Sequence, residues 1–171
     1  MSKLYKWIPA ILIMITIFLF SSQPYQAQNL KPEIEGTSIA NSLAERLSGV
    51  NFDYAGKEVS VHTLGKAGFI EFFIRKGAHF SIFGLLGFTL VYAINIRRPR
   101  RPLKGCILAV LASFLYACSD EFHQSLTPDR TPLFQDVLID TTGAICGAAL
   151  MALLMHWFKK RRKLQHTKPE K

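Results

Sequence analysis

Four long apolar runs constrain the fold of this chain more than any other feature of its sequence. They cover residues 7–20, 80–96, 105–118 and 141–158, and the fourth contains no charged residue. A membrane-spanning helix needs about 17–25 mostly apolar residues, so the second and fourth runs qualify by themselves. The first and third are shorter, but Lys6 and Lys104 at their ends can lay their alkyl stems along the helix and keep their charges in water. Because a soluble domain of 171 residues has no room to bury all four runs, the sequence predicts a membrane protein.

The four runs predict an all-α, four-helix transmembrane bundle, formed by a single domain over residues 1–171. The predicted spans are about 4–22, 77–96, 103–119 and 138–158, and a basic tail follows at 159–171. The first run also resembles a signal peptide, because Lys3 and Lys6 precede it. However, the segment SSQPYQAQN that follows has no convincing A-x-A cleavage site, so we expect the first span to be retained.

Basic residues cluster where they would orient a membrane protein. Lys3 and Lys6 precede the first span, RRPRRPLK joins the second and third, and KKRRK follows the fourth. Lysine and arginine accumulate on the cytoplasmic side, so the sequence predicts a multi-pass cell-membrane protein with both termini cytoplasmic. In that orientation 14 of the 21 basic residues lie inside, but only one of the 12 acidic residues. Topology therefore explains the net charge of +9, and the predicted partner is the lipid bilayer, not nucleic acid.

The first loop outside the membrane contains a predicted amphipathic helix. Residues 37–50 have apolar side chains at helical spacing, with Thr37 or Ser38 as a possible N-cap and Gly49 as a C-terminal stop. Such a helix can lie on the membrane surface with its apolar face in the lipid. The following stretch NFDYAGKE is expected to form a turn.

Polar residues gather at the predicted outer ends of the last three spans. The second span is entered through RKGAHF, the third is left through SDEFHQ, and the turn TPDRTP leads into FQDVLID at the start of the fourth. Ten candidate site residues result: Arg75, Lys76, His79, Asp120, Glu121, His123, Gln124, Arg130, Asp136 and Asp140. Ionisable groups at membrane depth usually face a bundle interior or a water-filled cavity. We therefore predict a polar pocket on the outer side.

The fourth span combines this polar stripe with small residues. Asp136, Asp140, Gly143 and Gly147 follow one helix face, and the two glycines form a GxxxG pair that allows another helix to approach closely. Asp140 is thus expected to lie just inside the apolar region against a neighbouring helix, where an unpaired charge is costly.

Four stretches stand one at each predicted span, in this order: FSSQ, FIRKGAHFSIFGLLGF, SDEFHQSLTPDR and DVLIDTTGAICG. Together they resemble the VanZ-like family, which is named for a membrane protein associated with low-level teicoplanin resistance. The family pattern usually has glycine where this chain has Asp129, and asparagine or aspartate at the position of Asp140. The resemblance implies a bacterial four-helix membrane protein with a link to glycopeptide susceptibility.

Two hypotheses give the polar residues a function. In the catalytic hypothesis, His123 or His79 acts as general base or nucleophile and is oriented by Asp120 or Glu121. In the binding hypothesis, the same pocket holds an anionic lipid or cell-wall precursor head group, a peptide terminus or the antibiotic itself without turnover. Known catalytic spacings such as HExxH and GxSxG are absent from the sequence, so whether the protein is an enzyme stays open.

Two further interpretations need no organic ligand. Histidine and carboxylate donors suit zinc or manganese, but they have no diagnostic spacing here and three cations lie nearby, so the sequence predicts no metal and no cofactor. In the structural interpretation, Asp120 pairs with Arg130 and Asp140 with Arg75, and these ion pairs only fix how the helix ends meet.

Overall fold

The computed structural model describes residues 4–95, 102–128 and 130–166. In chain order the helices are α1 (Ile8–Ser21), α2 (Lys31–Ile34), α3 (Ser38–Arg46), α4 (Val61–Asn95), α5 (Pro102–Ser125) and α6 (Phe134–His166). Strands β1 (Asn51–Tyr54) and β2 (Lys57–Ser60) form an antiparallel hairpin before α4, and short 3-10 turns at Tyr5–Trp7 and Tyr25–Gln28 flank α1. Lys3, residues 97–101, Asp129 and residues 167–171 lie outside the described residues, and with them parts of the predicted basic clusters.

Within the described residues, three helices are long and apolar enough to cross a membrane, namely α4, α5 and α6. α1 has 14 residues, fewer than a span needs by itself. Together with its flanking turns and α2 it forms a helix pair, Tyr5–Ser21 and Tyr25–Ile34, which is bent by 117° and makes a fourth candidate span. The predicted helical class is confirmed, with three to four candidate membrane-spanning helices.

α4 and α6 form the most extensive helix contact, because glycines remove the side chains between them. A Cβ on Gly143 would overlap the carbonyl oxygen of Phe80, and one on Gly147 would overlap the carbonyl oxygen of Gly84. The close approach predicted from the GxxxG pair is therefore confirmed. Such backbone contact is how transmembrane helices pack where burial from water gives no driving force.

The interior of the bundle is apolar, and so is much of its outer surface. Phe83, Leu86 and Val91 of α4 are fully buried, and Ala109 and Ala117 of α5 are the small residues facing the same core. Large apolar side chains are exposed along the outer faces of α1, α4, α5 and α6, among them Leu12, Leu85, Leu111 and Leu153. Helices that are apolar on every side are expected in a lipid environment, which agrees with a membrane location.

The segment between α1 and α4 packs against the first half of α4. The N-cap of α3 is Thr37, whose hydroxyl accepts a hydrogen bond from Ala40 N at 3.3 Å, so this part of the helix prediction is confirmed. α3 ends at Arg46, about a turn before the predicted stop at Gly49.

For residues 51–58 the sequence predicts only a turn. This prediction is wrong, because the structure forms a β-hairpin there. Ala55 and Gly56 both have positive φ, 56° and 75°, as the tight turn between two twisted strands requires. Alanine is uncommon in this conformation, so the residues of the turn carry no strong hairpin signal. One face of the hairpin packs Phe52 and Tyr54 against Phe72 of α4.

The two ends of the bundle differ in composition. At one end, which we call the basic end, Lys6 donates a hydrogen bond to the carbonyl oxygen of Ala93 near the end of α4. Lys104 lies in the first turn of α5 at the same end. The exposed basic residues 159–162 extend α6 beyond it. The opposite end, which we call the polar end, is where α1 and α5 finish and α6 begins, and it contains the candidate site.

Candidate functional site

Asp120 is buried near the C-terminal end of α5 and has two hydrogen-bond partners. Its Oδ1 accepts from the Ser21 hydroxyl at 2.6 Å, and its Oδ2 accepts from Gln124 Nε2 at 2.8 Å. Gln124 is one helical turn further on, the neighbour that the spacing predicts. Ser21 is the last residue of α1, so the carboxylate connects α1 to α5 and is held in one orientation.

Asp140 is fully buried where α6 packs on α4, and its neighbour is His79. The distance between His79 Nδ1 and Asp140 Oδ1 is 3.4 Å. The glycine contact explains this proximity. Gly143 lies against the carbonyl oxygen of Phe80, Asp140 is one turn before Gly143, and His79 immediately precedes Phe80. One candidate ligand atom from each of His79, Asp120 and Asp140 lies within 4.8 Å of the others. Helix packing therefore assembles this cluster from α4, α5 and α6.

Two arginines approach Gln28, the last residue of the 3-10 turn after α1. Arg75 donates to the Gln28 carbonyl oxygen, and Arg130 donates to its side-chain oxygen, both at 2.5 Å. Arg130 also donates to Gln124 Oε1 at 2.9 Å, which links it to Asp120. Burial lowers the pKa of Arg130, and the nearby positive charge of Arg75 lowers it further. Two guanidinium groups thus lie close together at the polar end.

Glu71 compensates one of these charges. It is buried one turn before Arg75, and the two form an ion pair at 3.0 Å. Glu71 also accepts hydrogen bonds from the Tyr25 hydroxyl at 2.9 Å and from Leu30 N at 3.1 Å, so it fastens the segment after α1 to α4. The Arg75 guanidinium lies 4.5 Å from the centre of the Tyr25 ring, a cation–π contact.

Lys76 and Asp136 form a second ion pair, with 2.5 Å between Nζ and Oδ1. Asp136 is in the first turn of α6, where a negative charge also stabilises the helix dipole. The Tyr54 hydroxyl of the hairpin donates to the same carboxylate. Burial and the hydrogen bond to Asp136 raise the pKa of Tyr54. This pair joins the hairpin, α4 and α6.

Glu121 and His123 lie apart from these contacts. Glu121 Oε2 accepts a hydrogen bond from Leu133 N at 2.9 Å, which holds the start of α6 against α5. The His123 ring stacks on Phe18 of α1, with 4.6 Å between ring centres. His123 therefore faces α1, and its Nδ1 has no hydrogen bond to Asp120, to Glu121 or to any other described residue.

A cavity of about 280 Å³ opens between α1 and α4 at the polar end. Arg75, His79 and Arg130 contribute polar lining. Ile17 and Ile82 also line it, and they lie about one helical turn deeper towards the middle of the bundle. The cavity is thus cationic at its outer part and apolar at its inner part.

The structure brings together most of the predicted polar residues but pairs them differently from the structural interpretation. Arg75 pairs with Glu71 instead of Asp140, and Arg130 contacts two amide side chains instead of Asp120. Sequence reasoning missed Glu71, although its position four residues before Arg75 was a usable signal. Gln28 gave no such signal, because its role depends on how the chain turns after α1.

Taken together, the fold and these buried polar contacts define a helical, multi-pass membrane protein with a polar cluster at one end of its bundle. The family model for VanZ/LLP1 matches residues 6–156. The chain belongs to the VanZ/LLP1 family, as the sequence resemblance predicts. No curated protein and no solved structure matches the chain.

Proposed function

We propose that this protein is a bacterial cell-membrane protein whose polar end faces the outside and holds the anionic head group of a cell-envelope lipid or lipid-linked cell-wall precursor. Through that ligand it alters susceptibility to glycopeptides such as teicoplanin. The observation that supports this proposal most is the cavity, whose outer part has two guanidinium groups and whose inner part is apolar. A lipid with an anionic head group matches both parts, because its head group would contact the guanidinium groups and its chain the apolar part.

The head group is proposed to be a phosphate or a carboxylate. Guanidinium groups bind both through paired, charge-assisted hydrogen bonds, and they are less strongly hydrated than an ammonium group. Glu71 neutralises Arg75, but Arg130 contacts only neutral amide oxygens among the described side chains. An anion beside Arg130 and Arg75 would relieve the repulsion that lowers the pKa of Arg130.

The cavity fits a head group and the first part of an apolar chain. Its volume is about 280 Å³, and its inner part is lined by Ile17 of α1 and Ile82 of α4. A glycopeptide antibiotic is far larger than this space. We therefore favour an envelope lipid over the antibiotic itself as the ligand.

The orientation of the protein is supported by the positive-inside rule. A labelling experiment tests it directly with single cysteines at Ser48, next to α3, and at Lys160, at the basic end, after the three native cysteines are replaced by alanine. An impermeant maleimide should label Ser48→Cys in intact cells and Lys160→Cys only after lysis. Labelling in the opposite order would place the polar end in the cytoplasm and exclude an outer-leaflet ligand.

A catalytic version of this function is favoured by one observation. His79 both lines the cavity and contacts the buried carboxylate of Asp140, as a general base with an orienting acid would. His123 is the weaker candidate, because its ring is stacked on Phe18. Incubation with a lipid-linked precursor, followed by mass spectrometry, distinguishes the two versions: an altered head group indicates an enzyme, and an unaltered bound precursor indicates a binding protein.

Binding can be measured by native mass spectrometry of the purified protein with a polyprenyl phosphate and with the corresponding polyprenol. We expect the phosphate to bind and the neutral alcohol to bind at least about tenfold more weakly, since hydrogen bonds to a charged group contribute about 1.5–3 kcal/mol. Arg130→Gln should reduce binding of the phosphate by a similar factor. Arg46→Gln, on the exposed surface of α3, is the matched control and should bind as the wild type does. Equal binding of phosphate and alcohol would contradict the proposal.

A further inference from the structure

We propose that His79, Asp120 and Asp140 form a binding site for a divalent transition metal ion, with zinc or manganese as the ion. The three residues each offer one ligand atom, and these atoms lie within 4.8 Å of one another. Metal–ligand distances of about 2.0–2.2 Å place neighbouring ligand atoms about 3–4.4 Å apart, so small side-chain rotations bring this group into range. The proposal is independent of the lipid ligand proposed above.

The buried carboxylate of Asp140 is the observation that points to a ligand. The side chain is 0% exposed, and neither of its oxygens has a hydrogen-bond partner among the residues that the structure describes. The facing nitrogen, His79 Nδ1, is 3.4 Å away and likewise lacks a hydrogen bond of normal geometry there. A buried carboxylate without partners is strongly unfavourable, and an ion that accepts its lone pairs removes the problem.

The charges around the cluster also favour a divalent cation. Arg75 and Lys76 of α4 already pair with acids outside the cluster, as described above. Among the described residues, the two carboxylates of the cluster, Asp120 and Asp140, have no lysine or arginine as an ion-pair partner, which leaves a formal charge of −2 when His79 is neutral. A divalent ion balances this charge. The cations that argued against a metal in the sequence are therefore mostly compensated in the structure.

The surroundings of Asp120 resemble those of a metal ligand. Its two oxygens accept hydrogen bonds from Ser21 and Gln124, which fix the carboxylate and leave further lone pairs free to coordinate. Metal-ligating carboxylates are commonly held in this way by outer-shell partners. The ligands come from α4, α5 and α6, so no spacing within one helix could reveal the site in the sequence.

The site would be open on one side. Three protein ligands leave at least one position of a zinc ion for water or substrate, as in sites where zinc does chemistry and unlike closed structural sites. The side chain of His79 is 32% exposed and lines the 280 Å³ cavity, so the open position would face that cavity. One imidazole and two carboxylates suit zinc and manganese, and zinc binds such donors more tightly.

The test uses the full-length protein, purified in detergent, stripped with a chelator and titrated with zinc or with manganese alone. We expect one ion per chain by elemental analysis and a single saturable site by calorimetry. Asp140→Asn and His79→Gln should weaken binding of the ion by more than the factor of about 10–100 that removal of an outer-shell partner costs. Ser21→Ala should weaken binding by about tenfold, because it removes only such a partner of Asp120.

Matched controls separate a site from general changes. Asp53→Asn and His62→Gln make the same substitutions at exposed positions of the hairpin region and should bind the ion as the wild type does. Size-exclusion profiles identify variants that misfold. If both Asp140→Asn and His79→Gln misfold, the binding constant of Ser21→Ala still tests the proposal. If wild-type protein binds neither ion, or if the ligand and control variants bind equally, the proposal is wrong. Neither result would affect the lipid proposal, which depends on binding of polyprenyl phosphate.

Discussion

The two ends of the bundle use charged residues in opposite ways. At the basic end, Lys104 and residues 159–162 are exposed to the surroundings. At the polar end, Glu71, Asp120, Glu121 and Asp140 are only 2, 4, 6 and 0% exposed. Exposed charges cost little, whereas each buried charge requires a partner. The proposed orientation in the membrane would account for the first set of residues but not for the second, and this difference is why the polar end is the candidate site.

The glycine contact between α4 and α6 should give the largest effect, because both ends depend on it. Gly147→Leu would drive a side chain into the backbone of Gly84. Overpacking in a core typically costs about 1–3 kcal/mol, and this variant should exceed that range, because the overlapping atoms belong to the backbone and cannot move aside as a side chain can. The fraction of monodisperse protein by size exclusion measures the loss.

Cys146→Leu is the control for this variant, because it enlarges the neighbouring exposed position and should leave the protein intact. Equal behaviour of the two variants would show that α4 and α6 are not in close contact at this position.

The buried pair of Glu71 and Arg75 should give the next largest effect. Arg75→Gln alone leaves a buried carboxylate without its cation, which typically costs about 3–5 kcal/mol in the free energy of unfolding. The double variant Glu71→Gln, Arg75→Gln should recover part of that loss, because no charge remains buried. Equilibrium unfolding in detergent mixtures of the wild type, Glu71→Gln, Arg75→Gln and the double variant measures the coupling between the two residues.

An exposed pair provides the comparison for this cycle. Glu45 and Lys66 also form an ion pair, at 3.6 Å, but their side chains are 73 and 50% exposed. The same glutamine substitutions there should change stability by less than about 1 kcal/mol. If both cycles gave the same coupling, burial of the polar end would not distinguish it energetically.

The basic end should give the smallest effect. Arg161→Gln removes a guanidinium that lies 3.8 Å from the centre of the Trp157 ring, a contact that contributes about 0.5–1 kcal/mol at an exposed site. The thermal midpoint should fall only slightly, and Arg162→Gln is the matched neighbour. A loss as large as that of Arg75→Gln would mean that the basic end has a structural role of its own.

Local sequence patterns predicted the contacts that lie within one helix or along one helix face. The hydrogen bond of Gln124 to Asp120, the cap at Thr37 and the glycine contact of α6 all follow from spacing. The partners that cross between elements could not be predicted in the same way. Ser21 reaches Asp120 from 99 positions away, and this contact exists only because the ends of α1 and α5 meet.

The hairpin shows a different limit. Its turn has Ala55 in a conformation that glycine or asparagine usually adopts, so the common hairpin signal was missing. Tyr54, the last residue of β1, donates a hydrogen bond to Asp136 at the polar end. Neither the strand nor this contact could be inferred from the residue types alone.

The central claim is that the buried charges of the polar end form a functional site and not only a structural clasp. Its most direct test is glycopeptide susceptibility of a sensitive bacterial host that expresses the wild type, Arg130→Gln, His79→Gln or the control Arg46→Gln, with membrane abundance measured in every strain. We predict that the wild type and the control alter susceptibility, and that the two site variants are equally abundant but inactive. If the site variants lose their effect only in proportion to lost abundance, or if the wild type has no effect, the claim is contradicted.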